Sequence, residues 1–253
     1  VGFPYSYIST LANTSSMSTE EEERGKKIAV LIPARYGSTR FPGKALARLD
    51  GVPMAKIVYD RCKSSGFDTY LCSDDERICQ LVEHSIMTSA SCQNGTERCA
   101  EAASRLGEYE FFINVQGDLP DITIEIIQKL AAQLEEDELV TAFTKMDGIL
   151  RSSPHTVKLV HNTSYAHWFC RAPLKYGDQH LGVYGYHRSR LLEYPNLPPS
   201  MPELAESLEQ LRWLSAGHKM KVVEVRFDGV EINCPDDVQL WERKRITARA
   251  NSS

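Results

Sequence analysis

Ile28-Ala-Val-Leu-Ile-Pro-Ala-Arg-Tyr-Gly-Ser-Thr-Arg-Phe-Pro-Gly-Lys44 sets the reading of the whole chain. Ile28–Ile32 is a continuous apolar run between Lys27 and Pro33, which suits a short strand buried on both faces of a sheet. The Gly/Pro-rich loop Ala34–Gly43 follows and brings Arg35, Arg40 and Lys44 close to two glycines. Backbone N–H groups near Gly37 and Ser38 can cradle phosphate oxygens there. Arg35 and Lys44 can neutralise charge that builds up on a departing pyrophosphate. The spacing is not that of a P-loop, because Ala45 replaces the required Ser or Thr, and it is not GxGxxG. Taken alone, the loop reads equally well as a basic surface turn.

Working outward, strands and helices alternate. Pro53–Ser65 carries Met54, Ile57, Val58 and Arg61 at helical spacing, and Thr69–Cys72 reads as a second strand. Asp74–Glu83 and Cys99–Leu106 read as helices. Phe111–Val115 is a third apolar strand that ends at Gln116-Gly117-Asp118, and Ile122–Leu134 is an amphipathic helix. The alternation predicts an α/β fold: a three-layer, doubly wound, mostly parallel sheet. Ligands bind such sheets at the carboxyl ends of the strands, where strand order reverses. The loops after the first and third strands hold the chain's least ordinary residues.

The second half is less regular. Leu139–Lys145, Val157–Val160, Tyr165–Cys170 and His180–Tyr186 read as strands. A helix is predicted over Glu203–Ala216, with Leu204, Leu208, Leu211 and Leu214 on one face and Gly217 as its stop. Lys221–Val225 reads as a strand and Pro235–Lys244 as a last helix. The pattern predicts a single domain over 25–248 with a small β-rich excursion at about 155–200. Residues 1–24 are expected to be a disordered or added extension. Met17-Ser-Thr-Glu-Glu-Glu-Glu23 resembles a natural start, and 1–16 makes a poor signal peptide.

The 253 residues are 42% hydrophobic and carry a net charge of −5, which disfavours nucleic acid as a partner. No run of about 18 apolar residues exists to span a membrane. Seven cysteines without any CxxC point to reduced thiols in a cytoplasmic protein.

Five ordered segments resemble the 3-deoxy-manno-octulosonate cytidylyltransferase (CMP-Kdo synthetase) family. They are Arg35–Lys44, Ser73-Asp-Asp-Glu-Arg-Ile78, Asn94-Gly-Thr-Glu-Arg98, Asn114-Val-Gln-Gly-Asp-Leu-Pro120 and His180-Leu-Gly-Val-Tyr-Gly-Tyr186. Leu208-Glu-Gln-Leu-Arg212 and Cys234-Pro-Asp-Asp237 complete the set, which spans about residues 27 to 245. The resemblance implies a nucleotide-diphospho-sugar transferase-like fold and a homodimer. It implies transfer of CMP from CTP to the anomeric hydroxyl of a 3-deoxy-2-ulosonic acid, with Mg²⁺, in lipopolysaccharide biosynthesis.

The resemblance also assigns roles. Arg35, Lys44 and Asp118 would be catalytic. Ala34, Arg35, Ser38, Lys44, Ser73, Asn94, Gly95 and Thr96 would bind nucleotide. Gln116, Arg171, His180, Tyr184, Glu209 and Gln210 would bind the sugar acid, and Asp118 with Asn233 would hold the metal. On residue chemistry alone, Asp118 at a strand end favours a metal-holding carboxylate, with a helix cap as the lesser alternative; His180 could be structural, and Glu209 could lie on a solvated helix face.

The sequence departs from the family pattern in places. Asn233 stands where the family places a second metal-binding Asp, and Leu119 where Glu is common. Glu83–Gln93 and Pro173–Gln179 are short. Asn coordinates Mg²⁺ through its carbonyl but lacks the charge, so three readings follow: a weaker ligand, substitution by Asp236, or an impaired enzyme. Asn233→Asp is then expected to lower the Mg²⁺ requirement. The alternatives in function are a non-catalytic nucleotide-sugar binding homologue, a CMP-sialic-acid-type synthetase, and a glycosyltransferase. The last would want an Asp-x-Asp motif, and none is present.

Overall fold

The computed structural model describes residues 27–37 and 41–250, apart from the side chains of 248 and 249. The expected extension at 1–24, and Ser38 and Arg40 of the loop, lie outside the described residues.

In chain order the strands are β1 (Ile28–Pro33), β2 (Arg48–Leu49), β3 (Val52–Pro53), β4 (Asp68–Ser73), β5 (Ser85–Met87) and β6 (Phe111–Val115). They continue as β7 (Leu139–Thr144), β8 (Lys158–His161), β9 (Ala166–Cys170), β10 (Asp178–His187) and β11 (Lys221–Glu224). The first four helices are α1 (Met54–Lys63), α2 (Glu76–Cys79), α3 (Gly95–Ser104) and α4 (Ile124–Gln133). Then come α5 (Arg188–Glu193), α6 (Met201–Glu206), α7 (Leu211–Ser215) and α8 (Pro235–Ala250).

The main sheet has the order β11-β7-β10-β6-β1-β4-β5. β1 is parallel to both β4 and β6, and β10 runs antiparallel to β6 and β7. The sheet is therefore mixed and mostly parallel, as predicted. Ala29–Ile32 are wholly buried because each face of β1 has its own core. Val30 and Ile32 pack with Val58 of α1 and Ile126 and Leu130 of α4. Ala29 and Leu31 pack with Cys99 and Ala103 of α3 and with Trp213 of α7. A strand sealed on both sides has no face for polar residues, hence the unbroken apolar run. Strand order reverses about β1, so the crevice lies outside the carboxyl ends of β1 and β6.

β8 and β9 extend the sheet from β10. Lys158 of β8 is fully buried and its ammonium donates to the Arg171 carbonyl at 2.8 Å. That bond ties the loop after β9 to the sheet.

Three predicted elements differ. Asp74–Glu83 yields only the single turn of α2, after which the chain turns into β5. The last helix extends to Ala250. The helix expected over Glu203–Ala216 is broken into α6 and α7, with Ser207 left-handed between them (φ 54°). Leu204 points outward at 63% exposure, while Leu208 and Leu211 are buried. The leucine spacing is helical, yet Leu204 does not share the buried face. Among the described residues no helix is long and apolar enough to cross a membrane. All seven cysteines are unpaired, five of them buried.

Candidate active site

The loop after β1 and the turn after β6 meet at close range. A Cβ on Gly117 would stand 3.1 Å from the Pro33 carbonyl, so a side chain there would push the two strand ends apart. Asp118 follows, and its Oδ2 accepts from Lys44 Nζ at 2.7 Å. Lys44 opens a 3-10 turn entered through Gly43 at φ 68°, which only glycine adopts freely. Its ammonium also donates to the Ile232 carbonyl at 3.2 Å. Arg35 is exposed at the rim of the same cleft, whose volume is about 630 Å³. That volume lies within the usual range for small-ligand sites.

The opposite wall is polar. Gln116 is wedged between two glycines: a Cβ at Gly95 would come within 2.8 Å of its amide, and one at Gly182 within 2.9 Å of its Cγ. Its Nε2 donates to Glu209 Oε1 at 3.0 Å. The Thr96 backbone N–H donates to the other carboxylate oxygen of Glu209 at 2.9 Å. Glu209 therefore sits at the amino end of α3, in the turn between α6 and α7, and not on a solvated helix face. Tyr184 donates to Gln210 Oε1 at 3.3 Å, and the buried Nε2 of Gln210 has no protein partner. Both border the cleft. Arg171 reaches it from the loop after β9, with its guanidinium on the His155 carbonyl.

His180 borders the cleft but is buried, with Nε2 on the Thr141 hydroxyl at 2.9 Å and its ring against Phe169. Burial, and then the positive charge of Arg171, push its imidazole down to about 3. His180 is thus neutral in the fold. Unfolding frees it to bind a proton below about 6.5, so acid favours the unfolded chain. Stability is expected to fall from that pH towards about 3, at about 1.4 kcal/mol per pH unit from this residue. Urea unfolding at several pH values checks this. The slope should flatten in His180→Asn, and equal slopes would refute it.

The structure moves two expected nucleotide contacts away from the cleft. Ser73 is wholly buried at the end of β4, and its hydroxyl accepts from the Asp75 N–H. Thr96 is also buried, and its hydroxyl meets Tyr186 in the core at 3.3 Å. Each sits beside a turn, where hydroxyls serve local backbone and core as readily as a ligand. Ala34, Asn94 and Gly95 do line the cleft. The Ala34 N–H is committed to the Cys72 carbonyl, and Asn94 caps α3 through the Glu97 N–H. Asn94 is therefore both cleft wall and helix cap.

Sequence reasoning missed four charged cleft residues: Arg98, Glu203, Arg212 and Glu231. Arg98 pairs with Asp74, and Arg212 binds Glu203 and Glu97. The Leu208–Arg212 segment pointed towards Arg212, but no pattern marked Glu231. At the expected metal position, Asn233 and Asp118 line one end of the cleft. Asp236 is exposed and does not line it. Among the described residues no group of three or more His, Cys, Asp or Glu is gathered.

Comparison with known proteins adds to this geometry. A family described as cytidylyltransferase matches residues 29–222. The 3-deoxy-manno-octulosonate cytidylyltransferase of Desulfosudis oleivorans is 38% identical over 247 residues, covering 89% of this chain and all of that protein. The 8-amino-3,8-dideoxy-manno-octulosonate cytidylyltransferase of Shewanella halifaxensis is 37% identical over 239 residues, covering 86% and 98%. A solved CMP:2-keto-3-deoxy-manno-octonic acid synthetase complexed with CTP superposes with a TM-score of 0.81 at 32% identity, covering 88% and 100%.

Proposed function

We infer that this chain, which belongs to the cytidylyltransferase family, transfers CMP from CTP to the anomeric hydroxyl of a 3-deoxy-2-ulosonic acid and releases pyrophosphate. The substrate class is Kdo or its 8-amino analogue. The observation that carries this reading is the meeting of Lys44 and Asp118 across the β1/β6 crevice, opposite a wall of amide, hydroxyl and carboxylate groups.

In this reading Arg35 and Lys44 hold the β- and γ-phosphates, and their charge favours departure of pyrophosphate. Lys44 exchanges the Asp118 carboxylate for phosphate as CTP enters. Gln116, Glu209, Tyr184 and Gln210 present donors and acceptors to the sugar hydroxyls, and the unpartnered Nε2 of Gln210 gains an acceptor. Arg171 pairs with the sugar carboxylate. Catalysis is then mostly positioning for in-line attack on the α-phosphorus. Asp118 and Asn233, both hard oxygen donors at one end of the cleft, would hold Mg²⁺. Held there, Mg²⁺ would supply Lewis-acid neutralisation of phosphate charge.

The reading extends to a cytoplasmic homodimer that activates a sugar for lipopolysaccharide. The unpaired cysteines fit a reducing compartment. Exposed Trp168 on β9 and nearby Tyr176 fit a subunit contact.

Pyrophosphate release from CTP, assayed with a panel of ulosonic acids, tests the reaction. Release is expected only with both a sugar acid and Mg²⁺ present. CTP binding without release would instead support a non-catalytic homologue.

A further inference from the structure

Asn233 leaves the expected metal position one negative charge short, and the structure places a carboxylate two residues away. The Val230–Asn233 segment runs beside the Gly117–Asp118 turn, held by the Ile232 N–H on the Asp118 carbonyl at 3.0 Å. Its side chains alternate. Val230 and Ile232 are buried against Leu49, Met54 and Trp241, whereas Glu231 and Asn233 line the cleft with Lys44 and Asp118. We propose that Glu231 supplies the second anionic oxygen donor of the divalent-cation site, in place of the carboxylate that position 233 lacks. This rests on the CTP-dependent reading above.

Three observations support it. Glu231 and Asn233 stand two residues apart on the same wall of the cleft, either side of the buried Ile232. Glu231 also shares the cleft with Asp118, whose turn is tied to the Glu231 segment by the Ile232 N–H on the Asp118 carbonyl at 3.0 Å. Two carboxylates turned into one cleft repel each other, and a divalent cation between them relieves that repulsion. Third, the other acidic neighbours are unavailable. Asp236 is exposed outside the cleft, and Asp237 accepts from the Asn233 and Cys234 N–H groups at 2.7 and 2.8 Å. An intervening residue of opposite facing makes 231 and 233 equivalent in direction, so a carboxylate at 231 can serve the same site as one at 233.

The test titrates Mn²⁺ onto the protein–CTP complex without sugar acid, with bound Mn²⁺ read by electron paramagnetic resonance. Glu231→Gln is expected to raise the Mn²⁺ dissociation constant by about ten-fold or more, and adding Asn233→Asp is expected to recover most of that loss. CTP binding in EDTA confirms that each variant is folded. If Glu231→Gln does not fold, Glu231→Asp takes its place, with a smaller loss expected. A Mn²⁺ affinity that is indifferent to position 231, or a double variant without recovery, overturns the proposal. An unsubstituted protein that binds no CTP overturns instead the reading on which it rests.

Discussion

Asp118→Asn is expected to lower kcat for CMP transfer on the order of 10²–10³-fold with little change in melting temperature. The substitution is nearly isosteric. The backbone carbonyl that accepts from Ile232 is untouched, and the new amide oxygen still accepts from Lys44, so the strand end and the turn stay in place. What disappears is one of the few anions at the mouth of β6, where the proposed function places the α-phosphorus and the divalent cation. The loss therefore falls on kcat, because the missing interaction is one that strengthens as charge redistributes in the transition state. The KM for CTP should move much less, since the proposed function gives ground-state binding of the terminal phosphates to Arg35 and Lys44. Steady-state kinetics at saturating Mg²⁺, run beside thermal melts, measure both. A variant with unchanged kcat would remove Asp118 from the reacting centre.

What the sequence made legible, and what it hid, divides by the range of the interaction. β1 and β6 were readable because a strand buried on both faces must be apolar throughout, and Ile28–Ile32 and Phe111–Val115 are. The amphipathic pattern of Ile122–Leu134 gave α4 to within a residue or two, and the turn Gln116-Gly117-Asp118 marked its own place at a strand end. Local chemistry was misleading where a hydroxyl had two possible audiences. Ser73 and Thr96 stand beside Asp74 and Gly95 in segments that resemble ligand loops, yet both turn into the protein. Glu231 was hidden for a different reason. Its meaning depends on the neighbouring Asp118, brought in by the backbone bond from Ile232, and no periodicity within 225–237 encodes that. The break at Ser207 was equally illegible: the leucines predict one continuous helix, yet the chain turns at Ser207, and Arg212 pairs with Glu203 across the break and with Glu97 of α3.

That network gives the largest expected effect on stability. Arg212→Met should cost about 3–5 kcal/mol, because it strips the partner from buried carboxylates and leaves the cost of their desolvation in place. Arg212 grips Glu203 with two bonds, Nε to Oε2 at 2.8 Å and Nη2 to Oε1 at 2.6 Å, and reaches Glu97 of α3 at 3.0 Å. Its guanidinium also lies 4.3 Å from the centre of the Tyr194 ring. The side chains of Arg212 and Glu203 are only 4% and 8% exposed, so water cannot replace the lost bonds. For a chain of this size, about 3–5 kcal/mol corresponds to a fall in melting temperature of roughly 6–20 °C. Arg212→Lys should fall between, since it keeps the charge but cannot form the bidentate pair. Adding Glu203→Leu to Arg212→Met should recover part of the loss by removing the stranded carboxylate. The same contacts hold the Ser207–Gln210 turn that carries Glu209 and Gln210 to the cleft. Arg212→Lys, if folded, should therefore raise the KM for the sugar acid more than that for CTP. Equal melting temperatures for parent and Arg212→Met would show that the turn is held by the packing of Leu208 and Leu211 alone.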